Sequence, residues 1–220
     1  HADGSTAHVF SSLHPLTVNR HFQWMKEYQI DGAFVQRFAI HGSKEQKNHR
    51  RLKYENQKLM LCRNAANRND RHWALMYDLS GMKNQDFERL AEDWKNLRKR
   101  MQLGTDPKDS GYLQFNGKPL VGIWGVGFKD GREYGLEKTE WFIRLLKDNP
   151  DWGGMSILLG VPYYWRDMDR DAVADPKLHR IISMADVISP WSVGRYAGLM
   201  DDYAEIVSRQ FADRKWCNQR

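Results

Sequence analysis

The chain has 220 residues, 41% of them hydrophobic and 28% charged, which is enough apolar material for a substantial core and excludes an intrinsically disordered protein. Its apolar runs fall well short of the roughly 20 residues that cross a bilayer, so we expect no membrane insertion. The net charge of +6 permits nucleic-acid binding, but 28 acidic residues are interspersed among the 34 basic ones. The densest basic clusters, at residues 48–53 and 98–100, lie in helical patterns and are interpreted as solvated helix faces, so no nucleic-acid partner is expected.

Helical patterns alternate with short apolar runs along the chain, which is typical of an α/β protein. The first helix is expected around Thr17 to Tyr28, and the second begins at a capping box in residues 43–46. The predicted strands are Asp31 to Phe38, His72 to Asp78, Pro119 to Trp124, Met155 to Val161 and Ala185 to Pro190. The apolar stripes of the predicted helices are Val18, Phe22 and Met25; Leu59, Cys62 and Ala66; Phe87, Leu90, Trp94, Leu97 and Met101; Phe142, Leu145 and Leu146; and Met200, Tyr203, Val207 and Phe211.

Strands that are apolar on both faces and separated by helices indicate a parallel sheet, because each parallel connection needs a crossover and the helices cover the sheet. The first helix has no convincing strand before it, and the last has none after it. We therefore expect a (β/α)8 TIM-type barrel of which this chain lacks the first and last strands, as a single partial domain over residues 1–220. An open, five-stranded doubly wound sheet is the alternative architecture.

Sequence motifs for common cofactors and metals are absent. Gly122, Gly125 and Gly127 follow the third strand, but Asp130 stands where a dinucleotide-binding loop needs its third glycine. The sequence has no P-loop, no nucleophile elbow and no pair of histidines at zinc-protease spacing. Its two cysteines lie far apart, without the spacing of a zinc site or of a disulfide framework. We therefore expect neither a metal nor another cofactor.

Aromatic and polar side chains recur where the predicted strands end. The carboxyl ends of parallel strands meet at one edge of the sheet, which is where ligands bind in such folds. Aromatic rings beside carboxylate, amide and guanidinium groups suit a sugar, whose C–H faces stack on rings while its hydroxyls need directional hydrogen bonds. For any single tryptophan, packing at the rim is an equally good explanation. The residues expected to form a substrate-binding wall in one cleft are Gln36, Arg37, Tyr77, Asp78, Trp124, Tyr164, Trp165, Trp191 and Arg195.

Asp78 is the one carboxylate that stands directly at the end of a predicted strand. A lone aspartate in this position binds a sugar hydroxyl or an arginine more often than it does chemistry, so Asp78 is a binding residue first and only a weak catalytic candidate. Arg195 is its expected partner, because an arginine and a carboxylate at one rim can form a bidentate pair.

Five segments carry a resemblance to a known family: His21 to Phe38, Met76 to Met82, Gly117 to Phe128, Leu158 to Arg166 and Ile188 to Tyr196. Together they resemble bacterial proteins of the glycoside hydrolase family 71/99-like group, some of which carry the label xylosidase/arabinosidase. The resemblance runs from about Val9 to about Trp216, which is nearly the whole chain.

The resemblance implies a (β/α)8 barrel that hydrolyses glycosidic bonds in a polysaccharide or glycan without a metal, and it favours a periplasmic or secreted location. Family 99 includes retaining endo-α-mannosidases that use the substrate's own 2-hydroxyl, and family 71 includes α-1,3-glucanases. The catalytic carboxylates of these families are expected near their last strands, which no segment of this chain matches. The catalytic pair is therefore not carried over, and the isolated chain is expected to have little or no glycosidase activity. A catalytically silent carbohydrate-binding barrel is the alternative.

Overall fold

The computed structural model describes residues 3–6, 10–40, 49–195 and 200–219, and it alternates helices with strands. The capping box predicted at residues 43–46 and the end of the fifth resembling segment, Tyr196, lie outside the described residues. The helices are α1 (Pro15–Glu27), α2 (His49–Asn69), α3 (Phe87–Met101), α4 (Leu136–Asp148), α5 (Lys177–Ile182) and α6 (Met200–Asn218). The strands are β1 (Gly32–Phe38), β2 (His72–Asp78), β3 (Gln114–Phe115), β4 (Lys118–Trp124), β5 (Ser156–Val161) and β6 (Val187–Pro190).

Five of these strands form one parallel sheet in the order β1-β2-β4-β5-β6. Each of the five lies within about two residues of its predicted bounds, an uncertainty inherent in assigning element ends. The sequential order confirms the predicted α/β arrangement of parallel strands. It also excludes the doubly wound alternative, whose strand order reverses direction within the sheet.

The short strand β3 is an element that the sequence analysis missed. It pairs antiparallel with the start of β4 across Asn116 and Gly117, whose φ angles of 50° and 73° place both residues in the left-handed region. An Asn-Gly pair between two extended segments is the signal for a two-residue hairpin turn, so the sequence did contain the information. Just before β3, Gly111 and Leu113 bond the backbone of Trp73 in β2, so this segment lies between β2 and β4 at the amino end of the sheet.

The main core lies between the sheet and the helices. Trp73 and Leu75 of β2 are at most 1% exposed, as are Phe87, Leu90 and Trp94 of α3. The apolar stripes predicted for α1 to α4 face this core, with their members buried or partly buried against it. Because both layers contribute large apolar side chains, burial of this interface is the main stabilising contribution to the fold.

Three of the four residues in the stripe predicted for the last helix, in contrast, do not face the core, and the side chain of the fourth, Met200, lies outside the described part of the structure. Tyr203, Val207 and Phe211 of α6 are 54%, 48% and 66% exposed, and the helix instead contacts the fold through Arg209 and Trp216. The helix is correctly predicted, but these three residues of its apolar stripe are not packed in the core. Polar contacts of Arg209 and Asp213 and aromatic contacts of Trp216 orient α6, and the three-to-four-residue spacing of its apolar residues gave no sign of this.

Within the described residues, no helix combines the length and the apolar character needed to cross a membrane.

Candidate functional site

A row of residues crosses the sheet at the carboxyl ends of its strands. Phe38 pairs in register with Asp78, Asp78 with Trp124, and Trp124 with Gly160, so that β1, β2, β4 and β5 each contribute one position. Paired residues project to the same face of a sheet, and the alternate residues of these strands project towards the helices. We call the surface formed by Gln36, Phe38, Asp78 and Trp124 the open face, because the intervening residues Arg37 and Tyr77 contact α3 on the other side of the sheet.

Asp78 is the polar centre of the open face. Its Oδ2 accepts a hydrogen bond from Nε2 of Gln36 at 2.5 Å, and its Oδ1 accepts one from the backbone N–H of Ser80 at 2.8 Å. The side chain is fixed by these two donors and is only 4% exposed as a residue. Each carboxylate oxygen has about two acceptor positions, so Asp78 retains capacity for a hydroxyl donor. Asp78 is also the only acidic residue within the six strands.

Trp124 supplies the aromatic part of the open face. Its ring lies over Gly160, where a Cβ atom would stand 2.0 Å from Cε3 of the indole. The ring meets Trp191 at a centroid distance of 4.9 Å and Phe128 at 5.4 Å. Trp191 is 41% exposed, so this aromatic cluster presents a ring surface to solvent beside Asp78.

An arginine that the sequence analysis missed holds the loops beside this cluster. Arg132 ion-pairs with Asp130 at 2.8 Å, donates from Nη1 to the hydroxyl of Tyr134 at 2.9 Å, and stacks on Phe128 at 4.8 Å. The hydroxyl of Tyr134 in turn donates to the carbonyl of Gly125 at 2.6 Å. Burial raises the pKa of Tyr134 to about 12, against the opposing effect of the Arg132 charge, so the hydroxyl keeps its proton for this bond. Loop residues without strand periodicity gave no signal for this arrangement.

Two residues predicted for the binding wall lie on the other side of the sheet. Arg37 is 2% exposed and forms a bidentate pair with Asp93 of α3, at 2.9 Å from Nε and 2.6 Å from Nη2. Tyr77 is fully buried and donates its hydroxyl to Oδ2 of the same carboxylate at 2.8 Å. Burial raises the pKa of Tyr77 well above its ordinary value. The expectation that Arg37 and Tyr77 join the cleft is wrong, because alternate residues of a strand project to opposite faces.

The two residues predicted from the segment after β5 are also occupied by protein contacts. The guanidinium carbons of Arg170 and Arg209 each lie 4.4 Å from the ring centroid of Tyr164, whose hydroxyl accepts from Arg170. Trp165 is completely buried and meets Trp216 of α6 edge-on at 4.8 Å. The prediction that Trp165 lines the cleft is therefore wrong, and Tyr164 is a packed ring, 8% exposed, between cationic side chains.

Arg195 does not pair with Asp78. Its Nη2 contacts Oδ2 of Asp171 at 2.5 Å, and Asp171 also accepts from the backbone N–H groups of Tyr163 and Tyr164. The predicted Asp78–Arg195 pair is thus wrong, because Arg195 forms its ion pair with Asp171, in the loop after β5, instead. Of the nine predicted wall residues, the structure brings four together on the open face and its rim: Gln36, Asp78, Trp124 and Trp191.

Among the described residues, no group of three or more histidine, cysteine, aspartate or glutamate side chains is arranged to hold a metal ion.

Comparison with solved structures finds proteins of similar fold. The structure is similar to that of the GH99 endo-α-mannosidase from Bacteroides thetaiotaomicron, with a TM-score of 0.52 and 12% sequence identity over 81% of this chain and 44% of that chain. A second structure of the GH99 endo-α-mannosidase from that bacterium, in complex with bis-tris propane, gives the same TM-score and identity and is covered over 47% of its length. The chain thus spans less than half of these enzymes.

No family model and no curated protein sequence matches the chain. At 12% identity the similarity to the solved structures shows the fold alone, which is the parallel α/β arrangement of a TIM-barrel glycoside hydrolase.

Proposed function

We propose that the open face binds a glycan and that the chain supplies the sugar-binding wall of a metal-independent glycoside hydrolase. The observation that carries the proposal is the side-by-side placement of Asp78, held by Gln36, and the Trp124–Trp191 cluster. The carboxylate and the amide offer directional hydrogen bonds to hydroxyls, and the exposed ring of Trp191 offers a stacking surface for the C–H face of a sugar.

The substrate class is an α-linked glycan. The proposal rests on the similarity of the fold to an endo-α-mannosidase and on the family resemblance of the five sequence segments. An endo-acting enzyme needs an open groove rather than a closed pocket, and Phe38 at one end of the row and Trp191 against the ring of Trp124 are 38% and 41% exposed.

Asp78 acts in this proposal as a binding residue. Glycosidases ordinarily use two carboxyl groups, about 5 to 10 Å apart, as acid and as base or nucleophile. The strands contribute only one acidic side chain to the open face, and both of its oxygens already accept hydrogen bonds. Hydrolysis therefore requires a second carboxylate from outside the strands.

Binding is tested by isothermal titration calorimetry of the 220-residue chain with α-linked manno-oligosaccharides and α-1,3-linked gluco-oligosaccharides. Asp78→Asn removes the charge at nearly constant shape, and we expect its affinity to fall at least about tenfold, in keeping with the 1.5–3 kcal/mol of a hydrogen bond to a charged group. Asp151→Asn, an exposed aspartate beyond the end of α4, is the matched control and should leave affinity unchanged. Equal affinity in the wild type and in Asp78→Asn contradicts the proposal.

The second candidate function, a non-catalytic carbohydrate-binding protein, is favoured by the single carboxylate on the strands. Reducing-end release from the same oligosaccharides separates the two candidates. Binding without release above a buffer control supports the binding protein, and release supports the hydrolase.

A further inference from the structure

The strand β1 forms one edge of the sheet, because among the described residues it pairs with β2 alone. The carbonyl of Asp31 and the N–H of Ala39, one residue beyond each end of β1, both bond to β2. In a parallel sheet the backbone groups of successive residues point in opposite directions across the strand. The odd-numbered residues of β1 therefore face β2, and the backbone groups of Gly32, Phe34 and Gln36 face the edge.

A contact of Lys58 supports this assignment of the edge. Its Nζ donates to the carbonyl of Gln36 at 3.0 Å and to Oε2 of Glu55 at 2.5 Å. A lysine at an edge strand occupies a backbone group that is otherwise a template for another chain. The described part of the chain places no such partner on the N–H or the carbonyl of Phe34, which is 38% exposed. At Phe34, β1 therefore has a backbone donor and a backbone acceptor open to a further strand.

A groove of about 370 Å³ runs along this edge, between α1 and α2. Its lining includes Val35, on the helix side of β1, and Phe34, on the side of the open face. Successive residues of a strand project to opposite faces, so a groove that touches both of them lies beside the strand and not over one face. Met25 of α1 and Cys62 of α2 also line it. We call this space the β1 groove.

The lining of the β1 groove is mixed, with eight apolar residues and six polar or charged ones. The charged ones are Arg51, Glu55 and Lys58, all on α2. Glu55 and Lys58 form an ion pair, whereas Arg51 is exposed and has no carboxylate partner within the described ranges. The groove therefore combines apolar walls with one positive charge in excess, which favours a ligand that carries a carboxylate.

The open backbone groups decide which class of ligand fits. Extended peptides add a strand to a sheet at an exposed edge, where main-chain hydrogen bonds give affinity and pockets for alternate side chains give specificity. A small organic acid would use the charge of Arg51 but leave the donor and acceptor of Phe34 without partners. The β1 strand of a second copy could supply the backbone groups, but Gly32–Phe38 contains no acidic residue to meet Arg51.

We propose that the β1 groove binds an extended peptide that adds a strand beside β1, packs apolar side chains against Met25 and Phe34, and pairs an acidic side chain with Arg51. This site goes beyond the proposed glycan site, because it uses the backbone of the sheet edge and needs neither Asp78 nor Trp124.

The charge is tested with three seven-residue probe peptides, acetylated, amidated and labelled with fluorescein: Val-Thr-Val-Glu-Val-Thr-Val and its variants with Gln or Lys at the centre. Fluorescence anisotropy with the full chain measures their affinities. We expect the Glu peptide to bind at least fivefold more tightly than the Gln peptide, and the Lys peptide to bind most weakly. Absence of saturable binding for all three, or equal affinities, overturns the proposal.

Strand addition is tested by N-methylation of the Glu peptide. Alternate amides of an extended peptide point to opposite edges, so methylation of the even-numbered amides and methylation of the odd-numbered amides block different edges. We expect one of these two peptides to lose at least tenfold in affinity and the other to stay within about threefold of the parent. Equal losses in both contradict pairing with β1.

The edge itself is tested at residue 34. Proline is tolerated in an edge strand where its missing N–H faces away from the sheet, so Phe34→Pro should fold and should weaken binding of the Glu peptide at least tenfold. Phe34→Val loses the same ring but keeps the N–H, and it should bind at least fivefold more tightly than Phe34→Pro. Equal affinities of the two folded variants, checked by circular dichroism, reject a backbone contact at this position.

The position of the acidic side chain is tested on α2, and this test stands if Phe34→Pro fails to fold. Arg51→Gln should reduce the preference for the Glu over the Gln peptide to less than twofold. Arg50→Gln makes the same change of charge at a residue that bonds Tyr54 outside the groove lining, and it should keep the preference. An unchanged preference in Arg51→Gln refutes the predicted ion pair.

Sedimentation velocity of the chain alone tests the competing occupant, a second copy. We expect a monomer. A dimer that the Glu peptide dissociates would assign the β1 edge to a second copy and would overturn the proposal of a peptide ligand.

Discussion

The indole of Trp124 rests directly on the backbone of Gly160, so close that a Cβ atom on residue 160 would overlap the ring. The two residues are register partners on β4 and β5, so the missing side chain of one creates the space for the ring of the other. The orientation of the largest ring on the open face is therefore set from a neighbouring strand.

Gly160→Ala is expected to displace the ring of Trp124. The added methyl group would stand 2.0 Å from Cε3, and overpacking of this kind typically costs about 1–3 kcal/mol. We expect a lower melting temperature together with weaker binding of α-linked oligosaccharides in calorimetry.

Gly122→Ala is the matched control for this substitution. Gly122 lies two residues before Trp124 on β4, and its Cβ would stand 2.8 Å from Cγ of Met76 and would not meet the indole. Neither glycine has a positive φ, so the comparison isolates the steric effect. If both variants lose affinity equally, the specific support of Trp124 by Gly160 is refuted.

Trp191→Ala and Trp165→Ala are expected to have opposite consequences. Trp165 is fully buried, and its removal should cost about 3–5 kcal/mol of unfolding free energy, measured by denaturant titration. Trp191 is 41% exposed, so its removal should cost less stability and weaken oligosaccharide binding. If Trp165→Ala is as stable as the wild type but binds oligosaccharide more weakly, Trp165 belongs to the binding wall after all.

Asp93→Ala is expected to destabilise the chain by about 3–5 kcal/mol, because it leaves the buried charge of Arg37 without its counter-ion. Glu92→Ala is the control on the same helix. Glu92 is exposed, and its ion pair with Lys95 is long at 3.8 Å, so removing the Glu92 side chain should cost about 0.5 kcal/mol of unfolding free energy or less. Urea unfolding of both variants measures the difference, and similar values for the two would show that the buried pair contributes little.

Cys62 is expected to resist alkylation. Burial raises the pKa of its thiol to about 11, so at pH 8 the reactive thiolate is about 0.1% of the population. The more exposed Cys217 should react first with iodoacetamide, as mapped by mass spectrometry of timed samples. Faster labelling of Cys62 than of Cys217 would contradict this order of reactivity.

Cys62 should also make stability depend on pH. Because the folded state retains the proton of the thiol, Cys62 contributes stability that is present below the unfolded pKa and is lost as pH rises from about 9 towards 11. Cys62→Ala should reduce that loss.

The sequence was sufficient to predict the five parallel strands but not which of their side chains share a face. Apolar runs such as Met155 to Val161 mark a strand because both of its faces are buried, and for the same reason they carry no alternation that separates the two faces. Gln36 and Arg37 both looked like cleft residues, yet neighbouring positions in a strand cannot share a face. The partner of Arg195 depended on Asp171, whose position follows from the path of a loop that no periodicity predicts.

The alternation of Gln36 and Arg37 also limits how β1 can change. Inserting or deleting one residue in the strand would rotate every following side chain to the opposite side, moving the guanidinium away from Asp93 and the amide away from Asp78 at once. We therefore expect β1 to tolerate insertions and deletions less well than an edge strand usually does. Its sequence can vary instead by substitution at residues such as Phe34 and Phe38, whose side chains reach solvent.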